Sequence, residues 1–442
     1  MIRLRCNCQN YAWGKIGLSS EVAQLMLASS AIGDLPSQDG RGVNQEPATI
    51  DESQPYAELW MGTHPKGPSM IAETGQFLSK WLAENPAMLG SGYKGTAEAS
   101  GEIQLPFLLK VLSVKEALSI QVHPTKEQAR LLHAADPNNY PDDNHKPEMA
   151  IALTPFEMLC GFRKPEEILQ NLREVPELFE LVSGQEFTKL DNVVKRGLAP
   201  ESPEAREALK ACFSSLMNQP AILVQKNLSV MLERVALQLS LQQSPESVVR
   251  GELLIRLNYT YPGDVGCFAP FFLNHFVLQP GEASFLGPNE PHAYLYGDCI
   301  ECMACSDNTI RAGLTPKFKD VARLCEMLTY RMQSAEANKF HAQPLASDPN
   351  HVLVYKPPVE EFAVHKIMVS SQDGEYHLPR LDTCSIAIVI AGDATVVHDA
   401  DPRTVKTLSR GVIGVIPANA DIKFQVTSPS PLIMYRAFPG AL

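Results

Sequence analysis

The sequence predicts a mainly β chain interrupted by one α-helical insertion. Short apolar runs broken by Gly and Pro fill the first third of the chain and return after Tyr261. Between them, from about Pro165 to Leu257, apolar residues recur at three-and-four spacing, the mark of amphipathic helices. Four side chains with metal-ligating atoms lie on strand-like segments either side of that insertion: Gln121, His123 and Glu148 before it, His292 after it.

Composition narrows the class. At 442 residues the chain is too long for one ordinary core, so two or three domains are expected. Hydrophobic content of 45% and charged content of 20% describe a soluble globular protein. A net charge of −12 argues against a broad nucleic-acid-binding surface. No apolar run reaches the roughly 18 residues that span a bilayer, and Met1–Cys8 lacks the apolar stretch of a secretory signal. Ten cysteines without framework spacing read as reduced thiols. The expectation is a cytoplasmic, monomeric protein with neither membrane nor nucleic-acid partner.

Along the chain, Tyr11-Ala-Trp13-Gly14 reads as strand and turn, followed by an amphipathic stretch from Ser20. Residues 29–55, rich in Gly, Ser, Asp, Pro and Gln, predict a long surface loop. Buried strands are expected at Phe107–Val111 and Leu118–His123, and Thr125-Lys-Glu-Gln128 fits a capping box that starts a helix. In the insertion, Ser202-Pro203 and Ser244-Pro245 each offer an N-cap with proline at the first helical position. A short helix is expected near Phe318–Tyr330. Beyond residue 345 the pattern is β throughout, at Phe362–Val369, Ser385–Ile390, Val412–Ile416 and Ile422–Val426.

On a strand, side chains two apart share a face, so Ser119, Gln121 and His123 address one pocket. Two imidazoles, one carboxylate and one amide oxygen suit Zn²⁺, with Mn²⁺ or Fe²⁺ as competitors. His292 follows a Pro-Gly turn, a short strand and a Pro-rich turn, a pattern that resembles the second metal-binding motif of cupin barrels.

Five motifs carry a wider resemblance: Tyr11-Ala-Trp-Gly, Glu58-Leu-Trp-Met-Gly-Thr-His-Pro, Leu118-Ser-Ile-Gln-Val-His-Pro, His145-Lys-Pro-Glu-Met-Ala, and Cys305 through Lys317. In that order they resemble the type I mannose-6-phosphate isomerases. The resemblance implies a cupin-type jelly-roll catalytic core in two parts, residues 1–160 and 258–330, with an inserted helical domain at 161–257. A C-terminal jelly roll is implied at 331–442. It implies a cytosolic enzyme with one Zn²⁺ per chain, interconverting mannose 6-phosphate and fructose 6-phosphate and so supplying mannose 6-phosphate for GDP-mannose and glycosylation. The implied ligands are Gln121, His123, Glu148 and His292, with Arg311 as active-site arginine.

Aldose–ketose isomerisation passes through a cis-enediol(ate), so negative charge develops on a sugar oxygen and a base must carry a proton between C1 and C2. His145 and Lys146 precede Glu148, and either is a candidate base. A guanidinium at Arg311 suits a phosphate or an enediolate oxygen. Asp307, four residues upstream, either assists ring opening or holds Arg311 in place. Lys110, Ser119 and Lys317 are candidate phosphate and hydroxyl contacts, and Tyr294 and Glu301 candidate sugar-pocket residues. Glu301 lies nine residues past His292, so its orientation depends on the strand between them.

Other readings have less support. Cys299-x-x-Cys302-x-x-Cys305 lacks the further cysteine of an iron–sulfur run, and no Gly-rich phosphate loop is present. Trp13 and Trp60 could stack on a sugar, yet large aromatics of this kind more often close a core. An iron-dependent cupin oxygenase and a catalytically silent sugar-phosphate sensor are the remaining rivals.

Overall fold

The computed structural model describes residues 1–31, 49–93, 96–97, 101–241, 245–398 and 405–440. Most of the proposed 29–55 loop and the Ser244 cap lie outside them. The helix Glu21–Ala31 occupies the loop's expected first residues.

One 13-residue strand, His292–Ala304, organises the site-bearing half. Its second part pairs antiparallel with Phe107–Val114 on one side and Glu148–Ala152 on the other. Its first part pairs with Phe156–Phe162 and, at His292, with Ile120–Val122. The strands Leu273–Leu278 and Ile310–Gly313 complete that second group. A single bent strand thus joins two sheet regions around a barrel interior.

The bend sits at Gly297, where φ is +114° and a Cβ would lie 2.5 Å from the Pro155 carbonyl oxygen. Only glycine adopts that backbone at little cost. The pairing of Phe156–Phe162 with the same strand slips by one residue between Tyr294 and Tyr296. This bulge explains Glu301. In a regular strand, residues nine apart face opposite sides, yet His292, Tyr294 and Glu301 all line the barrel interior.

Strand Phe107–Val114 is buried along its whole length because both of its faces are covered. Leu109 and Val111 point outward with Met149, Ile151, Ile300 and Cys302, and pack on Ile386, Ile388, Tyr435 and Ala437 of the C-terminal half. Lys110 and Leu112 point inward. The C-terminal half is a sandwich. An eight-stranded sheet faces a four-stranded one across a core that includes Ile367, Val389, Phe424 and Met434.

The chain's first strand, Ile2–Arg5, belongs to that eight-stranded sheet, pairing with Ile413–Ile416. Lys339–Phe340 conversely pairs with Ala283–Leu286 of the barrel. Sheet membership therefore does not follow the division at residues 1–160 and 331–442. Pairing partners some 400 residues apart leave no local trace.

Six helices between Pro165 and Thr260 close one end of the barrel. The Ser202 hydroxyl accepts from Ala205 N with Pro203 inside the first turn, as expected. Phe213 seats the insertion between Phe162 and Phe272, at ring-centroid distances of 5.1 and 5.6 Å. The Thr125–Gln128 capping box is formed, and the helix near 318–330 is Val321–Met327.

Gly297→Ala drives a Cβ against the Pro155 carbonyl at a backbone conformation that only glycine adopts readily. It is expected to destabilise the protein by about 1–3 kcal/mol in urea unfolding.

Candidate metal centre

His123, Glu148 and His292 each present one ligand atom, all within 4.8 Å of one another and all buried. His292 and Glu148 are the first residues of their strands, and Gln121 lies opposite His292 in register. The His123 Nδ1–H donates to the Asn308 carbonyl (2.8 Å) and the His292 Nδ1–H to the Glu290 carbonyl (3.0 Å). Because a carbonyl only accepts, both imidazoles carry their proton on Nδ1 and aim an Nε2 lone pair inward.

Those lone pairs face the Glu148 Oε2, at 3.4 Å from His123 and 3.6 Å from His292. His123 Nε2 and Glu148 Oε2 are buried without a hydrogen-bond partner. Acceptors converging on acceptors repel unless a cation lies between them, and the nitrogen/oxygen set suits a borderline divalent ion. The electrostatics agree. Burial pushes the His123 imidazole down to about 4, keeping it neutral at pH 7. Burial alone raises Glu148, but the Lys146 ammonium beside it outweighs that and holds the carboxyl well below its usual range.

The Gln121 amide completes the ring. Its Nε2 lies 3.3 Å from His292 Nε2, and its Oε1 accepts from the Ser119 hydroxyl at 3.2 Å. Turning the amide over aims its oxygen at the other donors.

Alternation along the segment before Glu148 separates the two candidate bases. Lys146 points inward, 3.0 Å from Glu148 Oε1. His145 points the other way, with Nε2 2.7 Å from Glu361 of the C-terminal half. Asp307 does not hold Arg311, which corrects one of its two expected roles. It pairs with Lys66 at 2.6 Å and lies 3.8 Å from His64. Asp307 lies in the irregular segment before the strand Ile310–Gly313 that carries Arg311, so the helical four-residue spacing that would bring the two side chains together is absent.

Arg311 lies beside Gln121 on the neighbouring strand. Among the described residues, no carboxylate pairs with its guanidinium or with the Lys317 ammonium. Partial burial, then Arg311, pushes Lys317 down. Two neighbouring unpaired cations suit an anionic ligand.

Lys110, by contrast, is buried between Glu301 (3.0 Å) and Glu58 (3.3 Å). Trp60 Nε1–H donates to the same Glu58 carboxylate at 2.5 Å. Burial opposes the Lys110 charge, but Glu301 and Glu58 outweigh it and raise its proton affinity. Tyr294 is 2% exposed and its hydroxyl lacks a partner.

Sequence reasoning missed Glu58, Asn308 and Glu361. Glu58 had a signal, since it alternates with Trp60 on a strand. Asn308 acts through its backbone carbonyl and Glu361 comes from another domain, so neither carried one. A cleft of about 740 Å³ beside the site, lined in part by His64, Lys66, Lys126, Asp142, Asp307 and Glu361, contains none of the metal-ligand candidates.

A small β-barrel with two imidazoles and a carboxylate turned inward defines a cupin-type metal-binding enzyme core. Residues 1–165 match the phosphomannose isomerase type I catalytic domain, 181–273 its helical insertion domain and 353–400 its C-terminal region. Mannose-6-phosphate isomerase of Macaca fascicularis is 45% identical over 437 residues, spanning 98% of this chain and 97% of that one. The human enzyme is 44% identical over the same spans. A mannose 6-phosphate isomerase structure bound with zinc and yttrium has a TM-score of 0.73 and 29% identity, covering 99% of both chains. The apo form from Salmonella typhimurium has a TM-score of 0.74 at 29% identity, again covering 99% of both. The chain belongs to the type I phosphomannose isomerases.

Chelated protein tests the buried neutral imidazole. His123 takes up protons near 6.5 when unfolded and only at about 4 when folded. Between those values the unfolded state binds more protons, so stability falls as pH drops. The metal-free protein is expected to lose about 2 kcal/mol between pH 7 and 5 from this group, and His123→Gln to remove that slope.

Proposed function

We propose that the chain is a zinc-dependent isomerase interconverting mannose 6-phosphate and fructose 6-phosphate through a cis-enediol(ate). The observation that carries this reading is the converging, unpartnered donor pair His123 Nε2 and Glu148 Oε2 beside two unpaired cations. Gln121, His123, Glu148 and His292 would hold the ion. Bound there, it supplies a Lewis acid for charge developing on the sugar oxygens.

The chain's own residues divide the remaining work. Arg311 and Lys317 bind the anionic end of the sugar phosphate or the enediolate oxygen, and Ser119 orients Gln121 and is within reach of a hydroxyl. Tyr294 has a free hydroxyl directed into the barrel, suited to a sugar oxygen. Lys110 and Glu301 form a neutralised polar wall, with Glu58 behind Lys110. Asp307, tied to Lys66 and His64, is left with ring opening as its role. Lys146, next to Glu148, is the group placed to move the proton between C1 and C2, and His145 is turned away. The ten free cysteines among the described residues favour a reducing compartment, and we read the protein as a cytoplasmic monomer. No described helix is long and apolar enough to cross a membrane.

Lys146→Ala is expected to lower kcat and C2-proton exchange by about 10²–10⁴-fold, whereas His145→Ala leaves exchange within about tenfold. Equal losses in both would reject the assignment. Removing metal with a chelator should abolish turnover of mannose 6-phosphate, and zinc should restore it.

A further inference from the structure

One carboxylate of the C-terminal half touches two of the three segments that carry metal-ligand candidates. Glu361 Oε1 accepts from His145 Nε2 at 2.7 Å and from Lys126 Nζ at 2.8 Å. Lys126 lies three residues after His123, and His145 three residues before Glu148. The two contacts differ in strength. The His145 and Glu361 side chains are 14% and 11% exposed, whereas Lys126 is 54% exposed. An exposed ammonium pair contributes little, so the histidine contact is the stronger arm.

The carboxylate is itself fixed. Phe362, next in the chain, is fully buried in the core shared by barrel and sandwich. Gly440 N donates to the Glu360 carbonyl, at 3.0 Å. On the other side, Pro147 stiffens the segment between His145 and Glu148. Holding the His145 ring from outside sets the rotation of that segment, and hence where Lys146 and Glu148 point inside.

We propose that Glu361 is a positioning residue for proton transfer, acting through His145 on the Lys146–Glu148 segment. The C-terminal sandwich is then part of the catalytic apparatus, supplying a strut as well as a cover. This inference rests on the isomerase reading above.

The test uses the full-length zinc-loaded enzyme with Glu361→Ala and Glu361→Gln. Groups that orient metal-site residues typically account for 10–100-fold in activity or affinity. Glu361→Ala is expected to lower kcat by about five- to tenfold, no more than His145→Ala does, with KM for mannose 6-phosphate within about twofold. Zinc affinity, measured by chelator competition, should weaken about tenfold. Glu361→Gln keeps an oxygen that accepts from His145 and should stay within threefold of wild type in kcat. Glu375→Ala, a sandwich carboxylate paired with Lys423 at 3.4 Å, is the neutral control. A kcat within twofold for Glu361→Ala overturns the proposal. So does a folded Glu361→Gln as impaired as the alanine variant, because charge rather than position would then matter. If wild-type protein does not turn over mannose 6-phosphate, the isomerase reading fails instead, and zinc affinity alone then decides the positional role of Glu361.

Discussion

Three acceptor atoms forced together inside the barrel are the constraint on which the rest depends. The Glu148 carboxylate faces two imidazole lone pairs, and two of these three atoms have no partner in the protein. Each buried, unmet polar atom costs about 1–3 kcal/mol, and a charged one more. A protein does not retain that cost without return, and a divalent ion at the centre converts the repulsion into coordination. The surrounding charges fit the same logic. Glu58, Glu148 and Glu301 face Lys110 and Lys146, one carboxylate in excess before any ion is added. A dication reverses the sign, and Arg311 and Lys317 then extend the positive region toward the opening. The result is an interior that attracts a sugar phosphate dianion and stabilises charge as it forms on the sugar.

Three features of the fold hold this arrangement. The strand His292–Ala304 carries ligand, aromatic and carboxylate on one wall, which the one-residue slip between Tyr294 and Tyr296 permits. Backbone carbonyls at Asn308 and Glu290 fix the tautomer and ring plane of each histidine, so the lone pairs are aimed before an ion arrives. The sandwich, which takes in the chain's own first strand, seals the outer face of the barrel sheet. Because that sheet is covered on both sides, its inward polar residues sit in a dry, rigid wall, where electrostatic interactions are strongest.

Much of this was legible in the sequence, for identifiable reasons. Ser119, Gln121 and His123 share a face by simple alternation. The insertion shows as helical spacing, and the Thr125 and Ser202 caps have local chemistry. Other features have no local record. The strand Phe107–Val114 reads as uniformly apolar apart from Lys110 and Ser113, so nothing marks Lys110 as paired inside a barrel. The parity that brings Glu301 to the site depends on a one-residue slip between Tyr294 and Tyr296. Pairing of Ile2–Arg5 with Ile413–Ile416, and of His145 with Glu361, joins residues hundreds of positions apart. Asp307 is near Arg311 in sequence, but its partners Lys66 and His64 come from a segment more than 240 residues earlier.

The most direct test of the central claim is X-ray absorption at the zinc edge of the active enzyme as purified. The account predicts one ion per chain in a first shell of nitrogen and oxygen only, two imidazoles among them, at about 2.0–2.2 Å. A sulfur-containing shell, or full activity with no metal bound, would contradict it.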